Sequence, residues 1–147
     1  MPSYQTLDNI ADAYIPALAI LCLCLLIKQF IARDWQRLLR EGGLFVMGLV
    51  VAYTIMFVDN ALLLWPQFNM DYSTHTAVAL VLVITLWVMK NSLQGIWSVF
   101  LFVSLLGYFL LMLYQQYHSV ADIISTSLVV GALVLPLAGK IQNKELK

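Results

Sequence analysis

The sequence predicts an all-α integral membrane bundle of five transmembrane helices, with the N-terminus outside and the C-terminus cytoplasmic. Three observations carry that expectation. Hydrophobic residues fill 62% of the 147 positions and charged residues only 11%, too apolar a balance for an ordinary soluble domain of this size. Five stretches approach the roughly 17 to 25 apolar residues that cross about 30 Å of hydrocarbon as helix. All 8 Lys and Arg residues then fall on one side, the side on which cationic loops are retained in the cytoplasm.

The expected spans, within a single membrane domain 1–147, are 13–32, 43–64, 74–89, 96–114 and 120–139. The first lacks a basic leader and a small-residue cleavage pattern, so it reads as a retained span rather than a signal peptide. Its Cys22 and Cys24 point about 200° apart on a helix. They fit neither a disulfide nor a zinc pattern and read as small buried hydrophobes. Arg33–Arg40 reads as a short interfacial helix anchored on anionic headgroups. The second span carries Asp59 and Asn60 near its outer end. The third is short and must either extend from Ser73 or be shielded by its neighbours. In the last two, Gly107 and Gly131 are candidates for close helix contacts, and Pro136 is expected to bend or loosen the helix. Brief linkers force successive helices to run antiparallel. Trp65, Tyr72, Tyr114 and Tyr117 read as the outer aromatic belt, and Trp35, Trp87 and Trp97 as the inner one.

Zero net charge hides an asymmetry between the two faces. Lys28, Arg33, Arg37, Arg40, Lys90, Lys140, Lys144 and Lys147 share the inner side, while Asp8, Asp12, Asp59, Asp71 and Asp122 occupy the outer half. The basic cluster beside a membrane reads as a topology signal, so nucleic acid is not an expected partner.

The 2 histidines open the third and fifth spans and therefore share the outer face. His118 and Asp122 are four residues apart, so a helix starting just before them stacks both on one side. The carboxylate can then hold one imidazole nitrogen protonated and leave the other as an outward lone pair, a base or nucleophile. Thr126 continues that ridge one turn deeper, within reach of Asp122 or of its own backbone. In Asp71-Tyr72-Ser73-Thr74-His75, Asp71 or Ser73 suits an N-cap, and the amides of a helix start favour an anion. His75 can serve there as an acid. Asp59 reads as a buried acid beside the His118 pocket or simply as a helix end. An ionisable Asp122 inside an apolar span costs about 2.5 to 3.5 kcal/mol on insertion scales and marks function more often than structure.

The two motifs resemble the second and third signatures of the type 2 phosphatidic acid phosphatase superfamily, which spans membrane lipid phosphatases and, more distantly, sphingomyelin-synthase-like transferases. Those patterns are Pro-Ser-Gly-His and Ser-Arg-x-x-x-x-x-His-x-x-x-Asp, or Ser-Gly-His-Thr followed by His-x-x-x-Asp in the transferase branch. Ser73, His75 and Thr76 match, with Thr74 in place of glycine, as do His118 and Asp122. The resemblance covers roughly Asp59 to Gly139. It implies that His118 attacks phosphorus to form a phosphohistidine, that Asp122 orients it, and that His75 protonates the leaving group. Ser73, Thr74 and Asp71 would contact a membrane lipid or lipid phosphate, with Asp59 and Thr126 behind them. The implied setting is a bacterial inner membrane with the site facing the periplasm or exterior.

The chain departs from the family in its cations. The first motif, Lys-x-x-x-x-x-x-Arg-Pro, is reduced to Val58 through Trp65-Pro66, and the third-motif arginine falls at Met112. Phosphoryl transfer develops charge that enzymes neutralise with Lys, Arg or metal. Three readings follow. The histidines and helix ends suffice for a weakly charged phosphodiester without a cofactor, a divalent metal held by Asp59, Asp71 or the histidines replaces the cations, or catalysis has been lost and the cleft binds a lipid or partner helix. A small transporter using the acidic face is a further alternative.

Overall fold

The structure, a computed structural model, describes residues 4–89 and 95–145, with side chains over 5–89 and 95–142. Five α-helices follow one another: α1 (Tyr4–Ile31), α2 (Trp35–Leu62), α3 (Thr74–Met89), α4 (Ile96–Tyr114) and α5 (Val120–Glu145), with a single 3-10 turn at Pro66–Phe68 between α2 and α3. Four of them, all but α3, are long and apolar enough to cross a membrane. Their outward faces carry exposed Ile20, Ile27, Val46, Val50, Phe57, Val103, Leu110, Leu128 and Leu133.

The short helix α3 is the centre. Its 16 residues rise only about 24 Å, and they are apolar nearly all round, the mark of a helix with no solvent or lipid face of its own. It packs against each of the other four helices. Val81, Val83, Ile84 and Leu86 are fully buried. The hydroxyl of buried Thr85 donates to the Val81 carbonyl at 2.8 Å, so this polar group enters the core satisfied.

The helices alternate in direction. Asp8 of α1, the end of α4 and the starts of α3 and α5 meet at one end, through contacts such as Gln115 to Asp8 and Asp71 to Asp122. At the other end Gln29 of α1 donates to Glu41 of α2. Cys22 is buried as expected, but Cys24 is exposed, which corrects its reading as a buried residue: two positions apart on α1 it faces the other way.

Several local expectations are corrected. Arg33–Arg40 is not a separate interfacial helix, because the α1–α2 turn is only Ala32, Arg33 and Asp34. Arg33 takes the left-handed conformation (φ 57°), Asp34 N–H closes on Gln29 O, and the Asp34 carboxylate caps α2 by accepting Arg37 N–H at 3.2 Å. Arg37 and Arg40 therefore lie in the first turns of α2, where Arg37 pairs with buried Glu41 at 3.5 Å. Trp65 and Tyr72 are not belt residues but are buried edge to face, with the Trp65 indole donating to Ser125 and the Tyr72 hydroxyl to Ala52 O. Residues 90–94, including Lys90, the side chain of Lys144 and all of Lys147 lie outside the described residues.

The tight helix approach is at Gly48, not at Gly107, where an added Cβ would meet nothing within 4 Å, or at Gly131, where the nearest atoms are 3.9 Å away. A Cβ at Gly48 would lie 2.5 Å from Val81 Cγ1, so α2 can approach α3 only because that position has no side chain. Gly48→Ala is expected to destabilise the bundle by about 1–3 kcal/mol through overpacking, and a second change, Val81→Ala, to recover part of the loss. Gly107→Ala should leave stability unchanged. Thermal unfolding in detergent checks all three.

Candidate active site

The site is assembled by the way two helices begin. Helix α5 starts with a reciprocal capping box: Ser119 N–H donates to Asp122 Oδ2 at 2.7 Å, and Asp122 N–H donates to Ser119 Oγ at 3.2 Å. Helix α3 starts at Ser73, not Asp71. The Ser73 hydroxyl accepts Thr76 N–H at 3.2 Å and donates to Thr76 Oγ1 at 2.8 Å. The two starts are then joined. Asp71 N–H donates to Asp122 Oδ1 at 2.8 Å, and Ser73 N–H donates to Thr126 Oγ1 at 3.1 Å.

This junction brings His75 and His118 to one pocket of about 220 Å³, lined also by Ala11, Asp12, Tyr108, Met112 and Tyr117. Its walls come from α1 and α4. Tyr14 and Tyr108 stack at 4.4 Å between those helices, and Tyr14 shares a 2.9 Å hydrogen bond with Ser104. Asp8 accepts hydrogen bonds from the Tyr117 hydroxyl and from Gln115 Nε2, closing the rim from the first helix.

His118 Nδ1 stands 3.9 Å from Asp122 Oδ2, with 17% and 8% of the side chains exposed. That is an ion-pair distance beyond hydrogen-bond reach, which corrects the expected direct bond. The carboxylate is instead engaged by the two backbone amides and acts on the imidazole through its charge. Because Nδ1 faces the carboxylate, Nε2 is the atom left for chemistry. Burial lowers the His118 pKa from its ordinary value, Asp122 opposes the shift, His75 adds to it and Asp71 opposes it more weakly. The net lowering favours the neutral imidazole, whose lone pair is then available.

Other expected site residues lie elsewhere. Ser73 and Thr126 are completely buried in the junction, Asp71 is exposed before α3, and Thr74 is half-buried. None of the four is among the pocket-lining residues. Buried Asp59 accepts Trp65 N–H at 2.8 Å and shapes the turn after α2. It is not among the residues that line the histidine pocket.

Asp12, Tyr108 and Tyr117 enter the pocket without having been picked out by motif. Asp8 and Asp12 are four residues apart on α1, and that stacking was their available signal. The capping box was also legible as Ser-x-x-Asp, overlaid on the more conspicuous His-x-x-x-Asp. No Lys or Arg is among the lining residues. Among the described residues, no group of three or more His, Cys, Asp and Glu side chains is arranged to hold a metal ion.

Compared with protein-family models, curated proteins and solved structures, the chain matches none of them.

The junction makes a stability prediction distinct from catalysis. Thr126→Val removes the acceptor of a buried N–H and should cost about 1–3 kcal/mol, whereas Thr126→Ser keeps the acceptor and should recover most of it. Equal unfolding midpoints for wild type and Thr126→Val in detergent would show that the bond to Ser73 contributes nothing.

Proposed function

We propose that this chain is a divergent member of the type 2 phosphatidic acid phosphatase superfamily, a lipid phosphoester hydrolase or phosphotransferase working at the outer membrane face. In this reading α3 is a fifth span enclosed by the other four, the N-terminus is outside, and the C-terminus is cytoplasmic. The membrane is a bacterial inner membrane. The supporting observation is the meeting of His75 and His118 in one pocket, with His118 Nδ1 held towards Asp122.

The chemistry follows from the two imidazoles. Neutral His118 attacks phosphorus through Nε2 as the ester P–O bond breaks, and protonated His75 delivers its proton to the departing alkoxide. In the second half, water or an acceptor hydroxyl attacks phosphorus and gives its proton to His75. The P–N bond breaks and its electron pair returns to Nε2. As positive charge develops on the imidazole, the Asp122 carboxylate stabilises it. The starts of α3 and α5 turn the positive ends of their dipoles towards the developing anion.

One observation favours a second reading. The pocket contains Asp12 and no Lys or Arg among its lining residues, a poor cradle for a doubly charged phosphate. A non-catalytic descendant that binds a lipid or a partner helix in the same cleft fits that polarity. For an enzyme, the same polarity favours a singly charged phosphodiester over a phosphomonoester.

Purified protein given lipid phosphodiesters and phosphomonoesters should release product, with diesters preferred and His118→Ala inactive though folded. Equal turnover by wild type and His118→Ala would remove the nucleophile assignment, and binding without turnover on any substrate would select the second reading. His75→Ala should lose about 10²- to 10⁴-fold on an alkyl ester and much less on a nitrophenyl ester, whose leaving group needs no proton.

The pH profile provides a separate check. Activity should fall as pH drops through a value below the ordinary imidazole pKa of about 6.5, because protonation removes the His118 lone pair. Asp122→Asn deletes the charge that raises this pKa, so the acid limb should move to lower pH while the maximal rate falls. An acid limb that moves upward would contradict the assigned pairing.

A further inference from the structure

Tyr108 of α4 lines the histidine pocket and is only 5% exposed, yet its hydroxyl bonds to none of the described residues. Unlike the Ser127 hydroxyl, which is sealed inside the protein, this oxygen is accessible, and the cavity is the space beside it. Buried polar groups are hydrogen-bonded as a rule, so an enclosed phenol on a cavity wall is a donor that the protein itself leaves unengaged. We infer that Tyr108 donates a hydrogen bond to a non-bridging phosphoryl oxygen of the ester bound at His118. The assignment deepens the phosphoester reading and rests on it.

The proposed chemistry leaves that role open. His118 Nε2 attacks phosphorus and His75 serves the leaving oxygen, so neither imidazole is spent on the non-bridging oxygens, which carry the charge in phosphoryl transfer. Among the other lining residues Ala11 and Met112 are apolar, the Asp12 carboxylate accepts rather than donates, and the Tyr117 hydroxyl is committed to Asp8. Tyr108 is the side-chain donor that remains among them. Its ring is set in advance: Tyr14 stacks on it at 4.4 Å and 17°, and Tyr14 is tied at 2.9 Å to Ser104, one turn from Tyr108 on α4. A donor fixed before charge develops costs no reorganisation when it does. No proton is transferred, since the phenol O–H stays intact and the phosphoryl oxygen accepts. A neutral donor also suits a singly charged diester.

The test titrates dioctylphosphinate, a singly charged phosphorus anion with two non-bridging oxygens and no ester bond, into the detergent-solubilised full chain. Wild type should bind it, and Tyr108→Phe, which keeps the ring stack, should bind it about 10- to 100-fold more weakly. On a lipid phosphodiester the same variant should lose about 10²- to 10³-fold in kcat. Wild type should also prefer one diastereomer of the phosphorothioate diester, because sulfur is the weaker acceptor, and that preference should narrow in Tyr108→Phe. Tyr114→Phe, a phenol on the same helix but 70% exposed and outside the pocket, should match wild type throughout.

Unfolding midpoints show whether Tyr108→Phe folds. If it does not, a ring-fluorinated tyrosine in place of Tyr108, a stronger donor of the same shape, should tighten phosphinate binding, and unchanged affinity would count against the donor. Equal phosphinate affinity in wild type and Tyr108→Phe would overturn the assignment, as would equal loss in Tyr114→Phe or no phosphinate binding by wild type. So would an undiminished kcat in Tyr108→Phe where wild type turns over. Failure of the phosphoester reading looks different: wild type turns over nothing, while phosphinate affinity still falls in Tyr108→Phe.

Discussion

The structure depends on the junction between the chain entering α3 and the first turns of α5. Helix α3 is too short to cover the hydrocarbon thickness with a face of its own, and its N-terminal amides begin inside the protein rather than in water. Buried amides need acceptors. Asp122 and Thr126, one turn apart on α5, supply them to Asp71 and Ser73. The same four residues therefore fix the depth of the central helix, its angle to α5 and the positions of the residues just beyond each helix start. His75 and His118 occupy those positions.

This arrangement changes the meaning of Asp122. An acid in the first turn of an apolar helix invites a catalytic reading, and its charge does act on the imidazole. Its hydrogen bonds, however, go to backbone amides from two segments. Structure and proposed chemistry thus share one side chain. A substitution at Asp122 would loosen the junction as well as alter the proposed chemistry, whereas one at His118 separates the two. Asp59 plays a simpler part: its carboxylate closes the turn after α2 and leads into the buried Trp65–Tyr72 pair.

The two ends of the bundle have opposite character. One holds Asp8, Asp71 and Asp122 together with a pocket lined by Asp12 and both histidines and by no Lys or Arg, and the other carries Arg37, Arg40 and Lys140 on α2 and α5. Burial there lowers the His118 pKa, with Asp122 opposing the shift. Opposite the pocket, the cations flank an apolar groove instead of a polar cleft. The contrast follows from placing charged residues at helix ends and apolar residues between them.

The sequence by itself determined the helical class, the extents of α3 and α4, the start of α5 and the common end of the two histidines. Apolar runs and helix starts are local, and short connections leave few ways to pack them. It did not disclose that Arg37 and Arg40 belong to α2, since a three-residue turn with a left-handed Arg33 leaves little compositional trace. Nor could it single out Gly48 over Gly107, because a glycine's role depends on what faces it across a helix contact. Tertiary structure alone decided that Ser73 and Thr126 lock the backbone, that Asp59 faces a turn, and that Asp12, Tyr108 and Tyr117 complete the pocket. The physical reason is distance along the chain: helix propensity and amphipathicity act over a few residues, whereas these hydrogen bonds and pocket walls join residues about fifty to a hundred positions apart, which only packing around α3 brings together.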